Sequence, residues 1–504
     1  MGIIINPWIY NLDINRGLIM DKQTKKNLLM YPLGTVGRDM MYALFNSYLL
    51  TYTMYTRSLT NAQLSAITII MVAARIFDAL NDPIMGNLIE RTRTKYGKFK
   101  PWLLGGILST SVVVYVIFNS KLEGWAFIVE FGICYFLYSI TFTMHDISYW
   151  GMIPALSSDG AMRDTYTSRA TLFGGIGNTL AQILIPMLTA GALALGGSSR
   201  NAYGIIASVI CILGPLFLLF TLLGVKERRE ESKEVPPLSF KKIISTFVNN
   251  DQLLWITFIF LLQQIGINIV LNGIGNNYIY FEFGYKGSLY SLFTTVGMAA
   301  TAFLMIFYPM LSKKFSRNKM VTIALYIGIV GYLIQIVCGL FMATSQVKFI
   351  MITLGFMLSN FAQYGLYLIM MISIINTVEY NELKTGNRDE AIISSVRPFI
   401  TKLASALVVV ITTLTYMFVN ATSYTNQISS LEQQATQGLI DDVTKSKMIE
   451  AIIGSTTTLQ RNGLLIAMTV VPCIFMILSC VLYKKKYILT EEKYKEICEQ
   501  LDIS

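Results

Sequence analysis

Charged residues are scarce in this chain, and their scarcity excludes an ordinary soluble domain. Only 14% of the 504 residues are Asp, Glu, Lys or Arg, against roughly 25% in an average soluble domain. Hydrophobic residues make up 54%, and the mean hydropathy is +0.54. The chain is therefore predicted to be an integral membrane protein.

Cysteine and histidine are also few, which argues against disulfide frameworks and metal centres. The six cysteines show no paired spacing, and all except Cys498 lie in apolar runs. His145 is the only histidine, and a packing role is favoured for it. The start of the chain lacks a basic region and a small-residue cleavage site, so no signal peptide is predicted. Without a nucleophile elbow, metal-ligand set or phosphate loop, the chain is predicted to be neither an enzyme nor the carrier of a cofactor.

Long apolar runs, by contrast, recur along almost the whole sequence. Each is about 20 residues long, which is the length that crosses ~30 Å of hydrocarbon as a helix. They predict an all-α membrane protein with twelve transmembrane helices. The predicted spans are 31–56, 62–89, 102–120, 124–156, 166–196, 203–224, 252–282, 288–312, 320–343, 347–379, 391–420 and 461–483.

The longest charged connector, 226–250, divides the spans into two groups of six. This symmetry is typical of a two-bundle transporter that binds its substrate at the midplane. The predicted parts are an N-terminal tail (1–30), an N-terminal bundle (31–225), a linker (226–250), a C-terminal bundle (251–485) and a C-terminal tail (486–504). Within the C-terminal bundle, 423–460 is predicted to be an extracellular loop that forms a cap or a short surface helix.

The distribution of basic residues predicts the orientation in the membrane. Loops after even-numbered spans carry more Lys and Arg than loops after odd-numbered spans, so both termini and the linker are predicted to be cytoplasmic. The net charge of +10 is thus assigned to cytoplasmic loops of a multi-pass cell-membrane protein rather than to nucleic-acid binding.

Ionisable side chains interrupt several apolar runs, where each costs roughly 2.5–3.5 kcal/mol at a bilayer centre. Asp78 and Asp82 are four residues apart, and Arg75 precedes Asp78 by three, so all three fall on or near one helix face. The other members of this charge cluster in the first half are Arg38, Asp39, Asp146 and Arg169. An excess of acid leaves room for a cation. The alternative is a set of salt bridges that only lock the helices, and this alternative is favoured for Arg75 taken alone.

Polar side chains in the apolar runs of the second half are mostly uncharged. The seventh span carries four amides at four-residue spacing: Gln264, Asn268, Asn272 and Asn276. They predict one polar stripe, which fits either a neutral, hydroxyl-rich ligand or interhelical hydrogen bonds. In the eleventh span, Lys402 is a candidate positive partner for the carboxylates of the first half.

Several segments resemble the glycoside-pentoside-hexuronide cation symporters of the major facilitator superfamily. They are GRDMMY (37–42), ARIFDALNDPIMG with RTRTKYGKFKPW (74–102), HDISYWGMIP (145–154), NTVEYNELKTGNRDEA (376–391) and the segment around Lys402. The resemblance implies the major facilitator fold, with two six-helix bundles, and inward symport of a glycoside or oligosaccharide with sodium or a proton.

The resemblance also implies roles for individual residues. The coupling cation would be bound by Asp78, Asp82, Asn81 and Thr143, and sodium, if it is the cation, by the two carboxylates. Hard oxygen ligands suit either cation. In the first half the sugar would be held by Arg38, Asp39, Asp146, Trp150 and Arg169. The further candidates for substrate binding, in the second half, are Tyr367, Arg397 and Lys402.

Two positions depart from the pattern of the family's type member. Tyr367 stands where it has a tryptophan, and Arg397 stands where it has the glutamine of a Gln-Thr pair. Arg397 either pairs with the carboxylate of a uronide or only balances cavity acids, and the second reading is favoured. The predicted partners are a sugar, a cation and the bilayer, with no nucleic acid and a monomeric chain. The alternatives are a lysolipid carrier of the same fold and a membrane sugar sensor that does not transport.

Overall fold

Helices account for the regular secondary structure throughout the described chain. The computed structural model describes residues 22–157, 159–226 and 240–501, and these residues contain no β-strand. The prediction of an all-α protein is therefore confirmed. Most of the predicted N-terminal tail, most of the predicted linker and the last three residues lie outside the described ranges.

The described residues form two compact units. The first consists of the described residues up to 226 together with Gly284–Leu292 and Asn420–Thr456. The second consists of 240–283, Phe293–Val419 and 457–501. The range predicted as the C-terminal bundle therefore contributes two segments to the first unit.

The helices follow one another with short connections. Before the linker they are α1 (Lys22–Leu33), α2 (Thr35–Thr56), α3 (Asn61–Arg91), α4 (Lys100–Phe118), α5 (Gly124–Gly151), α6 (Ile153–Leu156), α7 (Gly160–Thr189) and α8 (Ser199–Gly224). After it they are α9 (Phe240–Asn249), α10 (Asp251–Ile269), α11 (Gly275–Phe283), α12 (Gly287–Lys314), α13 (Arg317–Phe341), α14 (Gln346–Ile375), α15 (Thr377–Thr385), α16 (Glu390–Phe418), α17 (Ala421–Thr436), α18 (Asp442–Gly454), α19 (Thr458–Lys486) and α20 (Glu491–Gln500). Each of the twelve predicted spans coincides with one of these helices or with consecutive pieces of an interrupted helix.

Nine of the described helices or helix series are long and apolar enough to cross a membrane, and α3 makes a tenth if its two parts count as one span. The break in α3 lies between Asp78 and Asn81. Pro83 explains this position, because it has no amide hydrogen to donate to the carbonyl four residues earlier and its ring clashes with that carbonyl. Helix α2 falls outside this set because its apolar run is interrupted by polar residues such as Arg38 and Asp39, yet its 22 residues reach about 33 Å, enough to span the bilayer.

The outer faces of the helices match a lipid environment. In α4 the exposed large apolar residues are Leu104, Leu108, Val112, Tyr115 and Val116. They recur every three or four residues and so form one stripe along the helix. An exposed apolar stripe of this length is unfavourable in water and favourable against hydrocarbon.

Polar side chains fix several helix starts. Thr60 and Gln63 form a capping box on α3: the Thr60 hydroxyl accepts from the Gln63 amide at 3.2 Å, and the Gln63 side chain accepts from the Thr60 amide at 2.9 Å. Asp159 caps α7 by accepting from the Met162 amide at 3.1 Å. Such caps satisfy amides that a helix start leaves without a partner.

Glycine permits close helix approaches in the first unit. A Cβ on Gly106 of α4 would lie 2.7 Å from the amide nitrogen of His145 in α5, and one on Gly37 of α2 would lie 2.7 Å from the Cα of Gly214 in α8. The hydrogen side chain therefore lets each helix pair pack backbone to backbone.

A π-helical turn, Val270–Ile274, separates α10 from α11. Gly273 within it has φ +127°, a conformation that side chains rarely tolerate. A Cβ at this position would also lie 3.0 Å from the Tyr416 hydroxyl of α16. Because a π turn inserts about one extra residue, the helix faces on its two sides are rotated by roughly 100°.

Helices α17 and α18 belong to the first unit. The Asn426 side chain accepts from the Leu59 amide and donates to the Leu59 carbonyl, both at 2.8 Å. The Ser199 amide donates to Glu432 at 2.7 Å. Lys445 Nζ lies 3.8 Å from Glu432 and 3.1 Å from Asp442. The predicted surface helix of the 423–460 loop is thus a pair of helices, fastened by buried polar contacts.

Candidate functional site

Arg38 of α2 joins two carboxylates in the first unit. Its Nη1 donates to Asp146 Oδ1 of α5 at 2.8 Å, and its Nη2 donates to both oxygens of the neighbouring Asp39 at 2.9 and 3.1 Å. The Arg38 side chain is 6% exposed, whereas that of Asp146 is 40% exposed. The cluster carries one more negative than positive charge, and Asp146 is its accessible member.

Aromatic rings surround this guanidinium. The Arg38 Cζ lies 5.2 Å from the ring centre of Tyr149 and 5.3 Å from that of Trp150, within cation–π range. Tyr149 stacks on Tyr31 with ring centres 4.4 Å apart. The two tyrosines exchange hydrogen bonds, because each hydroxyl donates to the other's carbonyl at 2.6 and 2.7 Å. This reciprocal pair fixes α1 against α5 and so orients the arginine.

Four of the five first-half residues expected to hold the sugar therefore come together: Arg38, Asp39, Asp146 and Trp150. The fifth, Arg169 of α7, donates through Nη1 to the carbonyl of Leu28 at 3.2 Å. Helices α7 and α2 are nevertheless in contact, since a Cβ on Gly174 of α7 would overlap with Asp39 Oδ2. A sugar-binding role for Arg169 stays a prediction.

The two carboxylates of α3 each meet a hydroxyl of α5. Ser139 donates to Asp78 Oδ1, and Thr143 donates to Asp82 Oδ1 at 3.2 Å. Both the acids and the hydroxyls are four residues apart, so the pairs form two successive rungs between the helices. Asp78 is buried and Asp82 is partly exposed. Carboxylate and hydroxyl oxygens are hard ligands of the kind that sodium or a proton requires.

Arg75 and Asn81 complete this part of α3. Arg75 Nη1 lies 3.5 Å from Asp78 Oδ2, and its Nη2 donates to Asn46 Oδ1 of α2 at 2.5 Å. Asn81 is buried, and its Nδ2 has no hydrogen-bond partner among the described residues. The ion pair agrees with the structural role expected for Arg75.

His145 lies deep in the packing between α4 and α5. Its side chain is buried, its ring stacks on Tyr149 at 6.3 Å, and its backbone is the surface that Gly106 meets. Both ring nitrogens are buried without a hydrogen-bond partner in the described structure. The packing role expected for this histidine is therefore present, but the hydrogen bonds that would satisfy its ring are not.

The candidates of the second unit lie on helices α14 and α16. Tyr367 packs on its apolar core, 5.9 Å from the ring centre of Phe260. Arg397 and Lys402 lie partly exposed on α16. Arg397 accepts from the Thr401 hydroxyl through its carbonyl at 3.0 Å, and Lys402 likewise accepts from Ser405 at 2.7 Å. Both contacts are made by backbone carbonyls. The roles proposed for the Arg397 guanidinium and the Lys402 ammonium group therefore stay predictions.

The predicted amide stripe is interrupted by the π turn. Gln264 and Asn268 precede it, Asn276 follows it, and the side chain of Asn272 lies outside the described residues. The rotation of the helix across the turn therefore breaks the single face that the four-residue spacing predicted. The neighbouring Gln263 makes the contact between helices here, donating to the carbonyl of Gln363 in α14 at 2.9 Å.

Sequence patterns did not single out Asn46, Ser139 or Tyr31. A polar residue in an apolar run is visible in the sequence, but its partner on another helix is not. Among the described residues, no group of three or more His, Cys, Asp and Glu side chains is placed to hold a metal ion. The cation site expected here is of a different kind, with two carboxylates assisted by hydroxyl and amide oxygens.

The chain is similar to known sugar transport proteins. Residues 30–443 match the family model described as MFS/sugar transport protein. The lactose permease of Lactobacillus delbrueckii subsp. bulgaricus is 30% identical over 495 residues, which are 94% of this chain and 72% of that protein. The raffinose carrier protein of Pediococcus pentosaceus is 25% identical over 489 residues, with 94% and 71% covered. An inward-facing bacterial homologue of the human lysosomal transporter Spinster matches with a TM-score of 0.62 at 11% identity, covering 95% of this chain and 99% of that one.

Proposed function

Because the chain belongs to the MFS/sugar transport protein family, as its resemblance to the glycoside-pentoside-hexuronide symporters indicated, we propose that it imports a glycoside or oligosaccharide together with a cation by alternating access. The family is one of membrane transporters, and the helical, multi-span structure agrees with the major facilitator fold. The cation is sodium or a proton, and no other cofactor takes part. The protein acts in the cell membrane as a monomer with both termini in the cytoplasm.

The observation that carries this proposal is that two acidic clusters share helix α5 of the first unit. The Arg38–Asp39–Asp146 cluster joins α2 to α5, and the Asp78–Asp82 rungs join α3 to α5. Thr143 and Asp146 are three residues apart on α5, so they lie one helical turn apart. A displacement of α5 at one cluster is therefore transmitted to the other.

The chemistry of the first cluster fits a sugar. The partly exposed carboxylate of Asp146 accepts hydrogen bonds from sugar hydroxyls, and Arg38 holds it in place by a charge-assisted bond. Trp150, also partly exposed, offers a flat apolar face to a pyranose ring. The relatives suggest the class of sugar, since lactose and raffinose both contain a terminal galactosyl unit. We therefore favour a neutral galactoside over a uronide, and Arg397 then balances acids rather than binding a sugar carboxylate.

Coupling follows from charge balance. Asp78 and Asp82 place two carboxylates inside the membrane, where each negative charge is costly. A bound sodium ion or proton offsets part of that negative charge and permits the conformational change. By linkage, the cation raises the affinity for sugar by the same factor by which sugar raises the affinity for the cation.

The test is uptake of labelled galactosides into membrane vesicles with and without an inward sodium or proton gradient. Wild-type protein should accumulate sugar against its gradient, and Asp82→Asn should abolish accumulation while preserving exchange of sugar across the membrane. Asp164→Asn, at an exposed position of α7, is the matched control and should behave as wild type. Sugar binding without accumulation under either gradient would contradict symport and favour the sensor. Failure to bind any sugar, with uptake of lysolipid, would favour the lipid carrier.

A further inference from the structure

Asn46 of α2 contacts two further helices at the level of the carboxylate rungs. Its Nδ2 donates to the Tyr42 carbonyl within α2 and to the Tyr138 hydroxyl of α5, both at 3.0 Å. Its Oδ1 accepts from Arg75 Nη2 of α3 at 2.5 Å. The orientation of the amide is fixed by chemistry, because a carbonyl only accepts and a guanidinium only donates.

Arg75 is bound more closely by this amide than by its carboxylate partner. The contact with Asn46 is 2.5 Å, whereas Nη1 lies 3.5 Å from Asp78 Oδ2. A charge-assisted hydrogen bond between a guanidinium and a carboxylate is normally about 2.7–2.9 Å long. The guanidinium also lies 5.9 Å from the ring centre of Tyr135, within cation–π range. Arg75 is thus held just short of a full ion pair.

The long contact with Arg75 affects how fully the charge of Asp78 is neutralised. Its Oδ1 accepts from Ser139, and its Oδ2 faces Arg75 across the long contact. If the guanidinium closed on Oδ2, the positive charge of Arg75 would neutralise this carboxylate more fully, and a mobile cation would gain less by binding beside it. The distance set by Asn46 therefore determines how much negative charge the pair Asp78 and Asp82 offers to a cation.

We propose that Asn46 is a positioning residue of the cation site: it retains the Arg75 guanidinium away from Asp78 and thereby sets the affinity for the coupling cation. This inference rests on the proposed function, because it assumes that a cation binds at Asp78 and Asp82. The cation site thereby includes Asn46, which lies on a third helix, α2. It also includes the guanidinium of Arg75, whose position Asn46 controls.

Two substitutions test the proposal. Asn46→Ala removes the acceptor, so Arg75 closes on Asp78, and the half-saturating concentration of the driving cation should rise about tenfold. Asn46→Ser also loses the contact with Arg75 but retains a bond to the carbonyl four residues earlier, as Ser65 does with Asn61 at 2.9 Å. Asn46→Ser therefore keeps the test valid if Asn46→Ala does not fold. Its half-saturating concentration of the driving cation should rise to the same extent. The sugar KM at saturating cation should change less than twofold in both.

Asn119→Ala is the matched control. Asn119 Nδ2 also donates to the carbonyl four residues earlier, that of Tyr115, at 3.0 Å, and reaches the Gly204 carbonyl at 3.5 Å. Its amide thus joins helices α4 and α8 without contacting a guanidinium in the described structure. We expect no change in cation dependence when it is removed.

A double-mutant cycle separates positioning from packing. In an Arg75→Gln background, Asn46→Ser should produce no further shift, since the guanidinium that it releases is absent. An equal shift in both backgrounds, or no shift in either single variant at Asn46, would overturn the proposal. Wild-type protein that shows no cation stimulation at all would instead overturn the proposed symport, so the two failures are distinguishable.

Discussion

Arg38 illustrates why a buried arginine is not interchangeable with lysine. Its two terminal nitrogens serve different carboxylates, Asp39 and Asp146, and its flat face lies over two aromatic rings. A lysine head is one point charge at the end of a flexible stem and cannot occupy both positions. The orientation of Asp146, the accessible acid, therefore depends on the shape of the guanidinium as well as on its charge.

We expect Arg38→Lys to raise the KM for sugar about tenfold, corresponding to about 1.4 kcal/mol, with a smaller effect on cation dependence. The measurement is initial-rate uptake over a range of sugar concentrations. Arg200→Lys is the control, because Arg200 pairs with the half-exposed Glu123 at 2.9 Å, away from the cluster, and a pair of this kind contributes little. A KM unchanged in Arg38→Lys would contradict the assigned role.

Glu432 is an acid whose surroundings favour its neutral form. Burial raises the pKa of Glu432 to about 7, although Lys445 nearby opposes the shift. Its Oε1 is buried without a hydrogen-bond partner among the described residues, which suits a protonated oxygen. A carboxyl whose folded pKa exceeds its unfolded value binds more protons in the folded state, so its stabilising contribution is complete below the unfolded pKa and is lost as the pH rises through 7.

The attachment of α17 should therefore weaken between about pH 4.5 and pH 7. The ordinary pKa of a glutamate is 4.5, so the free energy of unfolding should fall by up to about 3 kcal/mol over this interval. Thermal unfolding of the purified protein at a series of pH values measures the effect. Glu432→Gln should flatten the profile, whereas Glu450→Gln, at an exposed site of α18, should leave it unchanged. A profile equally steep in wild type and Glu432→Gln would assign the dependence to another group.

At the scale of helices, close packing depends on positions where glycine carries a hydrogen atom in place of a Cβ. Gly106 and Gly105 are neighbours on α4, yet a Cβ on Gly106 would meet the backbone of His145 at 2.7 Å, while one on Gly105 would find only the end of Met144 at 3.9 Å. Gly106→Ala should lower the stability by about 1–3 kcal/mol, because the two backbones must separate. Gly105→Ala should leave stability unchanged or raise it slightly, since alanine favours a helix. Melting temperatures of the two variants provide the comparison, and equal values would show that α4 and α5 tolerate separation.

The sequence predicted the helices well because burial in lipid imposes a length and a composition. Each apolar run of about 20 residues is fixed by the thickness of hydrocarbon that it must cross, and all twelve predicted runs are helical. Interruptions were harder to predict. The π turn at Val270–Ile274 and the gap between α1 and α2 depend on local backbone geometry, to which hydropathy is insensitive.

The candidate site was predictable only in part for a related reason. Asp78 and Asp82 are visible as charges in an apolar run, and their spacing places them on one face. Ser139 and Asn46 lack such a signal, since serine and asparagine are common in membrane helices as interhelical contacts. Their importance here depends on which helix lies beside which, and that is a property of the tertiary fold.

For the molecule as a whole, the distribution of basic residues predicts which ends of the helices face the cytoplasm. In a variant with Cys498 replaced by serine, Lys447→Cys on the α17–α18 pair should react with a membrane-impermeant thiol reagent in intact cells. Lys95→Cys, in the loop between α3 and α4, should react only after permeabilisation. Both side chains are exposed, so accessibility differs only by the side of the membrane. The reverse pattern would invert the proposed orientation.

The two compact units are interleaved in the sequence rather than arranged one after the other, and this has a consequence for split genes. A cut between residues 226 and 240 would yield an N-terminal fragment that lacks Gly284–Leu292 and the α17–α18 pair, although both belong to the first unit. That fragment would leave the Leu59 backbone and the Ser199 amide without Asn426 and Glu432. The N-terminal half-gene product is therefore not self-sufficient, and function should return only when both halves are synthesised in the same cell.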